Sequence, residues 1–135
     1  MIYEAQSTYQ TTNDKGVEVT KKENYIVDNQ ELFAFVENKM FDEFGGYNNL
    51  DVVAIKRSRI KEIANIRTSD DDLIWCAELQ DVFHDDDGQE KVSKYKILLF
   101  AKTFDSAKAF ISEYMKQAYD MSLVSLKLTK FMDVI

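Results

Sequence analysis

Residues 2 to 27 and residues 74 to 99 are two versions of one segment. With residue 2 set above residue 74, IYEAQSTYQTTNDKGVEVTKKENYIV aligns with IWCAELQDVFHDDDGQEKVSKYKILL. Ile2, Ala5, Asp14, Gly16, Glu18 and Lys22 recur unchanged, and Tyr3 stands opposite Trp75. After a slip of three residues LFAFVENKM falls beside AKAFISEYM, and after a further slip VAIKRSRIKEIA falls beside VSLKLTKFMDVI. Both slips fall where loops are expected, and loops tolerate insertions. Two copies are too few for a solenoid, so the reading is a tandem duplication inside a single domain. The first copy covers residues 1–64, the second 73–135, and residues 65–72 link them.

Each copy repeats one pattern. Segments rich in Tyr, Val, Ile and Thr flank polar loops at Gly16 and Gly88, which predicts a hairpin in each half. Leu32, Phe35, Val36 and Met40 then recur at helical spacing, as do Ala107, Phe110, Ile111 and Met115. Asp28 with Glu31 has the spacing of a capping box, Thr103 is a candidate N-cap, and Gly45-Gly46 marks a helix end. A third strand closes each copy. The fold class that follows is α+β: a duplicated β-β-α-β unit forming one pseudo-twofold domain, its six strands and two helices around one core.

Composition narrows the function classes. A chain of 135 residues that is 45% apolar closes one ordinary core. It carries neither an eighteen-residue apolar run nor the start of an export signal, which predicts a soluble, cytoplasmic protein. The single cysteine, Cys76, fits a reducing compartment and reads as a half-buried strand residue. A net charge of −7 argues against coating duplex DNA by charge alone.

Against that acidic background, VAIKRSRIKEIA gathers Lys56, Arg57, Arg59 and Lys61 in the half of the chain nearer to neutrality. Strand alternation points Val53 and Ile55 inward with Val124, Leu126 and Leu128. It points Ala54, Lys56 and Ser58 outward with Ser125, Lys127 and Thr129. Arg59 and Lys130 follow near the strand ends. A small residue, a lysine and a hydroxyl thus recur on the outer face, a pattern suited to phosphates. Lysine on an outer strand also serves simply to keep a sheet edge from pairing. Tyr9 and Tyr47 are the aromatics expected to be exposed and to stack on bases.

The acidic segments read as solvated turns. HDDDGQE, with His84, Asp85, Asp86, Asp87 and Glu90, lacks the ligand spacing of a calcium loop, and SDDD at 69 to 72 reads as a solvated link. One histidine, no phosphate-cradling glycine loop and no distinguished carboxylate pair give no catalytic site, no metal site and no cofactor.

An early aromatic in the opening strand, GVEVTKKENYIV and GQEKVSKYKILL entering the second strands, VAIKR in a third strand and the ending FMDV together carry a family likeness. In that order these stretches resemble a domain of unknown function found in small proteins of gut bacteria and their tailed, crAss-like phages. The resemblance spans nearly the whole chain. It implies an intracellular, phage-associated setting and supplies no catalytic residues.

The functional expectation is a non-enzymatic nucleic-acid-binding protein favouring single-stranded DNA, through Lys56, Arg57, Arg59, Lys127, Lys130, Tyr9 and Tyr47. The alternative is an acidic protein-binding module, such as a phage inhibitor of a host enzyme or a subunit of a larger phage assembly, using Asp85, Asp86, Asp87 and Glu90. Open sheet edges make a homo-oligomer a further possibility.

Overall fold

Gly16 and Gly88 close the hairpins of the two copies in the same way. The computed structural model describes residues 1–135. Along the chain run β1 (Tyr3–Thr12), β2 (Glu18–Val27), α1 (Phe33–Phe44), β3 (Asn48–Arg57), β4 (Ile60–Ile63), β5 (Leu73–His84), β6 (Glu90–Ala101), α2 (Phe104–Met115), β7 (Met121–Leu128) and β8 (Phe131–Val134). Gly16 (φ 75°) and Gly88 (φ 79°) take the left-handed conformation that a hairpin of this kind needs and that glycine adopts without strain. Asn13 Oδ1 accepts the N–H groups of Lys15 and Val17, both at 3.0 Å. Asp85 Oδ1 accepts those of Asp87 and Gln89 at 3.0 and 2.8 Å.

The fold is α+β, two helices on eight strands, and the strands form two four-stranded mixed sheets ordered β3-β1-β2-β8 and β4-β6-β5-β7. Two similar sheets are what a duplicated unit gives. Each unit therefore has a strand more than the expected three. The extra strands, β4 and β8, are four residues long and follow a break at Ser58-Arg59 or Thr129-Lys130. Alternation alone runs such a short piece into the strand before it.

These short strands are exchanged between the copies. β4, from the first copy, lies parallel to β6, while β8, from the second, lies parallel to β2. Equivalent backbone bonds seal both: Ala64 N–H donates to Leu98 O (2.8 Å) and Ile135 N–H to Ile26 O (2.9 Å). The compact units are accordingly Met1–Arg59 with Lys130–Ile135, and Ile60–Thr129.

In the first unit α1 lays Val36 and Met40 on Tyr3, Ala5, Tyr25 and Val27. In the second, α2 lays Ala107 and Ile111 on Trp75, Ala77, Leu79, Ile97 and Leu99. Burying a side chain the size of Val36, Met40 or Ile111 stabilises by about 1.5–3 kcal/mol. Val36 thus matches Ala107 and Phe33 matches Phe104, one helical turn from the pairing of Phe35 with Phe110 in the sequence alignment. The ring contacts agree, since Phe33 meets Tyr3 edge-on at 5.1 Å and Phe104 meets Trp75 edge-on at 6.0 Å.

Two local expectations are corrected. Asp28 and Glu31 do not cap α1, whose N-cap is Leu32 with no side-chain bond; Thr103 does cap α2, accepting the Ser106 N–H at 3.1 Å. Both third strands carry a bulge at the same place, between Gln6/Ser7 pairing in one sheet and Glu78/Leu79 pairing in the other. The extra residues are Val53 and Val124, and they reset the alternation. Val52, Ile55, Leu123 and Leu126 consequently pack inward and Val53 and Val124 are exposed; Leu128, on the same face as Leu126 but at the strand end, is exposed as well.

Candidate nucleic-acid interface

One row of side chains crosses all four strands of the first sheet on the face away from α1. Gln6 of β1 pairs in register with Ala54 of β3 and with Asn24 of β2, and Asn24 pairs with Phe131 of β8. The face follows from alternation, because the neighbours Ala5 and Tyr25 belong to the helix-side cluster. Gln6 Nε2 donates to Asn24 Oδ1 at 3.1 Å, so the half-buried amides are locked to one another. The row floors a cavity of about 230 Å3 whose rim includes Glu4, Lys56 and Lys130.

Of the predicted basic residues, Lys56 and Lys130 come together here. Lys56, exposed, lies two residues along β3 from Ala54 and reaches Glu4 Oε1 at 3.8 Å. With the Glu4 side chain half-buried but Lys56 in solvent and the separation long, the pair is weak and leaves the lysine available to a phosphate. Lys130 arrives through strand exchange, immediately ahead of β8. Arg57 ends β3 opposite Tyr3, on the other face by alternation, and Arg59 is exposed just beyond. Lys127 lies on β7 opposite Cys76, in the other sheet, and does not share the cavity.

The predicted aromatics lie elsewhere. Tyr9 and Tyr47 stack on each other at 4.5 Å, Phe44 stacks behind Tyr47, and Tyr25 packs on Phe44, all on the helix side of the sheet. Glu23 accepts both the Tyr9 hydroxyl (3.0 Å) and the Tyr25 hydroxyl (2.5 Å). Burial, then the Glu23 carboxylate, pushes both phenols up. The ring beside the lysines is Phe131.

The acidic residues divide in a similar way. Asp85 holds its own hairpin turn and pairs with Lys91 at 3.9 Å, whereas Asp86, Asp87 and Glu90 are exposed. In the link, Asp70 and Asp71 are exposed but Asp72 is buried, which corrects the reading of that stretch as a solvated run. Asp72 Oδ2 accepts the Thr68 N–H (2.9 Å), the Thr68 hydroxyl (3.1 Å) and the Ser69 N–H (3.2 Å). Those bonds, the Thr68 N–H foremost, hold its carboxyl below the ordinary range against the opposing effect of burial. The second unit has its own tyrosine cluster, in which Tyr114 donates to Glu62 and Lys61 sits 4.1 Å above the Tyr95 ring. Burial, then Glu62, pushes the Tyr114 phenol up.

Cys76 sits half-buried in the middle of β5, the place of an ordinary strand residue, and His84 is exposed at the end of that strand. No group of three or more His, Cys, Asp or Glu side chains is arranged to hold a metal ion. No helix is long and apolar enough to cross a membrane.

Sequence reasoning missed Gln6, Asn24 and Phe131. The first two were within reach, because a hairpin centred on the Gly16 turn pairs position 6 with position 24. Phe131 was not, since its neighbour is set by long-range strand exchange.

Comparison with known proteins identifies a family. No curated protein and no solved structure matches the chain. The family model for a domain of unknown function, DUF4494, matches residues 1–135, and the chain belongs to that family.

Proposed function

We propose that this is a non-enzymatic binding protein for single-stranded nucleic acid, acting inside the cell in a bacterial or phage DNA transaction. The observation that supports the reading is the meeting of Lys56 of the first copy and Lys130 of the second at one cavity lined by amides and an aromatic ring. Cations beside a ring on an open sheet are the elements of a single-strand site: phosphates take the charge and a base takes the ring. Arg59, exposed just past the end of β3, adds positive charge near the site, while Arg57 stands on the opposite face of the sheet. An overall charge of −7 suits a short, local contact rather than a long coated track.

The test is anisotropy of a labelled single-stranded oligonucleotide across a salt series. Lys56→Glu and Lys130→Glu should each weaken binding and flatten the salt slope by about 0.7 for each phosphate no longer neutralised. An absence of binding to the oligonucleotide at low salt refutes the proposal.

A second reading rests on the β5–β6 hairpin tip. There the exposed Asp86, Asp87 and Glu90 lie at the tip, with the exposed apolar Phe83 on one face of the ribbon and Val92 on the other, an acidic tip with apolar flanks suited to a basic protein partner. Reversing the charge of Asp86, Asp87 and Glu90 abolishes partner capture under this reading and leaves oligonucleotide binding intact.

A further inference from the structure

We propose that the cavity on the first sheet takes one base of the strand, with its ring against Phe131 and its hydrogen-bonding edge on Gln6 and Asn24. This rests on the nucleic-acid reading above and adds what that reading leaves open, the part of the strand that enters the cavity.

The amide pair carries the argument. A glutamine and an asparagine side chain each have one acceptor oxygen and one donor nitrogen. The single bond between them uses Gln6 Nε2 and Asn24 Oδ1, and neither residue makes another side-chain bond within the protein. Gln6 Oε1 and both N–H groups of Asn24 Nδ2 are left without a partner in the protein, an acceptor and a donor on adjoining side chains that line the cavity. Every nucleobase presents the complement, a donor next to an acceptor on its Watson–Crick edge, and single strands are read on that edge. A backbone phosphodiester has only acceptors and leaves Gln6 Oε1 unanswered.

Shape and charge agree with this assignment. About 230 Å3 falls below the roughly 300–1,000 Å3 of drug-sized pockets and suits a single ring system. Along the row the amides of Gln6 and Asn24 lie between the apolar Ala54 and Phe131. Lys56 and Lys130 stand at the rim, where the phosphates flanking an inserted base would pass.

The equivalent row of the other sheet shows what the site requires. There Ser125, Glu78, Lys96 and Ile60 replace Ala54, Gln6, Asn24 and Phe131. A carboxylate beside an ammonium replaces the neutral amides, and an aliphatic side chain replaces the ring. Only the first sheet has the complement of a base.

Binding of the intact protein to a labelled single-stranded oligonucleotide is compared with binding to an otherwise identical strand of abasic residues carrying the same phosphates. The expected result is about tenfold weaker binding of the abasic strand, the loss of one stacked and hydrogen-bonded base. Asn24→Ala and Phe131→Ala should each remove most of that difference while leaving abasic binding in place. Equal affinity for the two strands overturns the base pocket and leaves the nucleic-acid reading standing; binding of neither overturns both. Because the strand comparison uses the unaltered protein, a variant that fails to fold does not obscure the result. In competition, adenosine 5′-monophosphate should displace the strand where ribose 5-phosphate does not. A mononucleotide that binds as tightly as the strand overturns the assignment to a strand.

Discussion

The Tyr9 and Tyr47 rings lie 4.5 Å apart and within 17° of parallel, so each covers one face of the other. Tyr47→Ala should cost about 0.5–1.5 kcal/mol beyond the lost buried area and leave oligonucleotide affinity unchanged. Urea unfolding and anisotropy on one preparation separate the two effects. A loss of affinity in a folded variant would return these tyrosines to the binding surface.

Asp72 makes stability depend on pH at the acid end. Folding lowers its pKa, so the ionised form is favoured in the native state. The stabilisation is complete above the ordinary carboxylate value and is lost as pH falls through the lowered one. Asp72→Asn should therefore be less stable than the parent at pH 7, with the gap closing toward pH 3. Urea midpoints at the two pH values measure it, and a constant gap would remove Asp72 as the titrating group.

Leu32 and Thr103 occupy the same position at the starts of α1 and α2, but only Thr103 bonds back to its helix. Thr103→Ala should destabilise by about 0.5–2 kcal/mol, and Leu32→Thr should stabilise by an amount in the same range. The pair is informative because the shifts in thermal midpoint have opposite signs.

Strand exchange makes the last residues of the second copy part of the first unit. Deleting residues 131–135 should speed amide exchange at Tyr25 and Ile26 on β2 and leave Leu98 and Leu99 on β6 protected. Hydrogen exchange read by mass spectrometry resolves the two sheets. Deprotection of β6 in place of β2 would mean that β8 supports the wrong sheet.

What the sequence revealed, and what it hid, follows from the range of each signal. Hairpins at Gly16 and Gly88, the Thr103 cap and the duplication were legible because each is written in a few neighbouring residues. The pairing of α1 with α2 slipped by a turn because positions four apart share a helix face, so Phe35 over Phe110 preserves nearly the same apolar stripe as Phe33 over Phe104. The inward set on β3 and β7 differs from simple alternation because a bulged valine, Val53 or Val124, leaves the core face and hands its place to the residue before it, Val52 or Leu123, while Ile55 and Leu126 keep theirs. The meeting of Lys56 with Lys130 depends on which sheet a four-residue strand joins, and no local pattern records that choice.

The exchanged strands bear on how the two rows of side chains came to differ. Were a single copy to close its sheet with the fourth strand of an identical partner, the assembly would be a symmetric homodimer, and every substitution would appear on both sheets at once. Fusion into one chain keeps the one-to-one ratio and releases that symmetry. Gln6, Asn24 and Phe131 can then specialise on one sheet while Glu78, Lys96 and Ile60 persist on the other, and each sheet still depends on its sibling's strand to be whole.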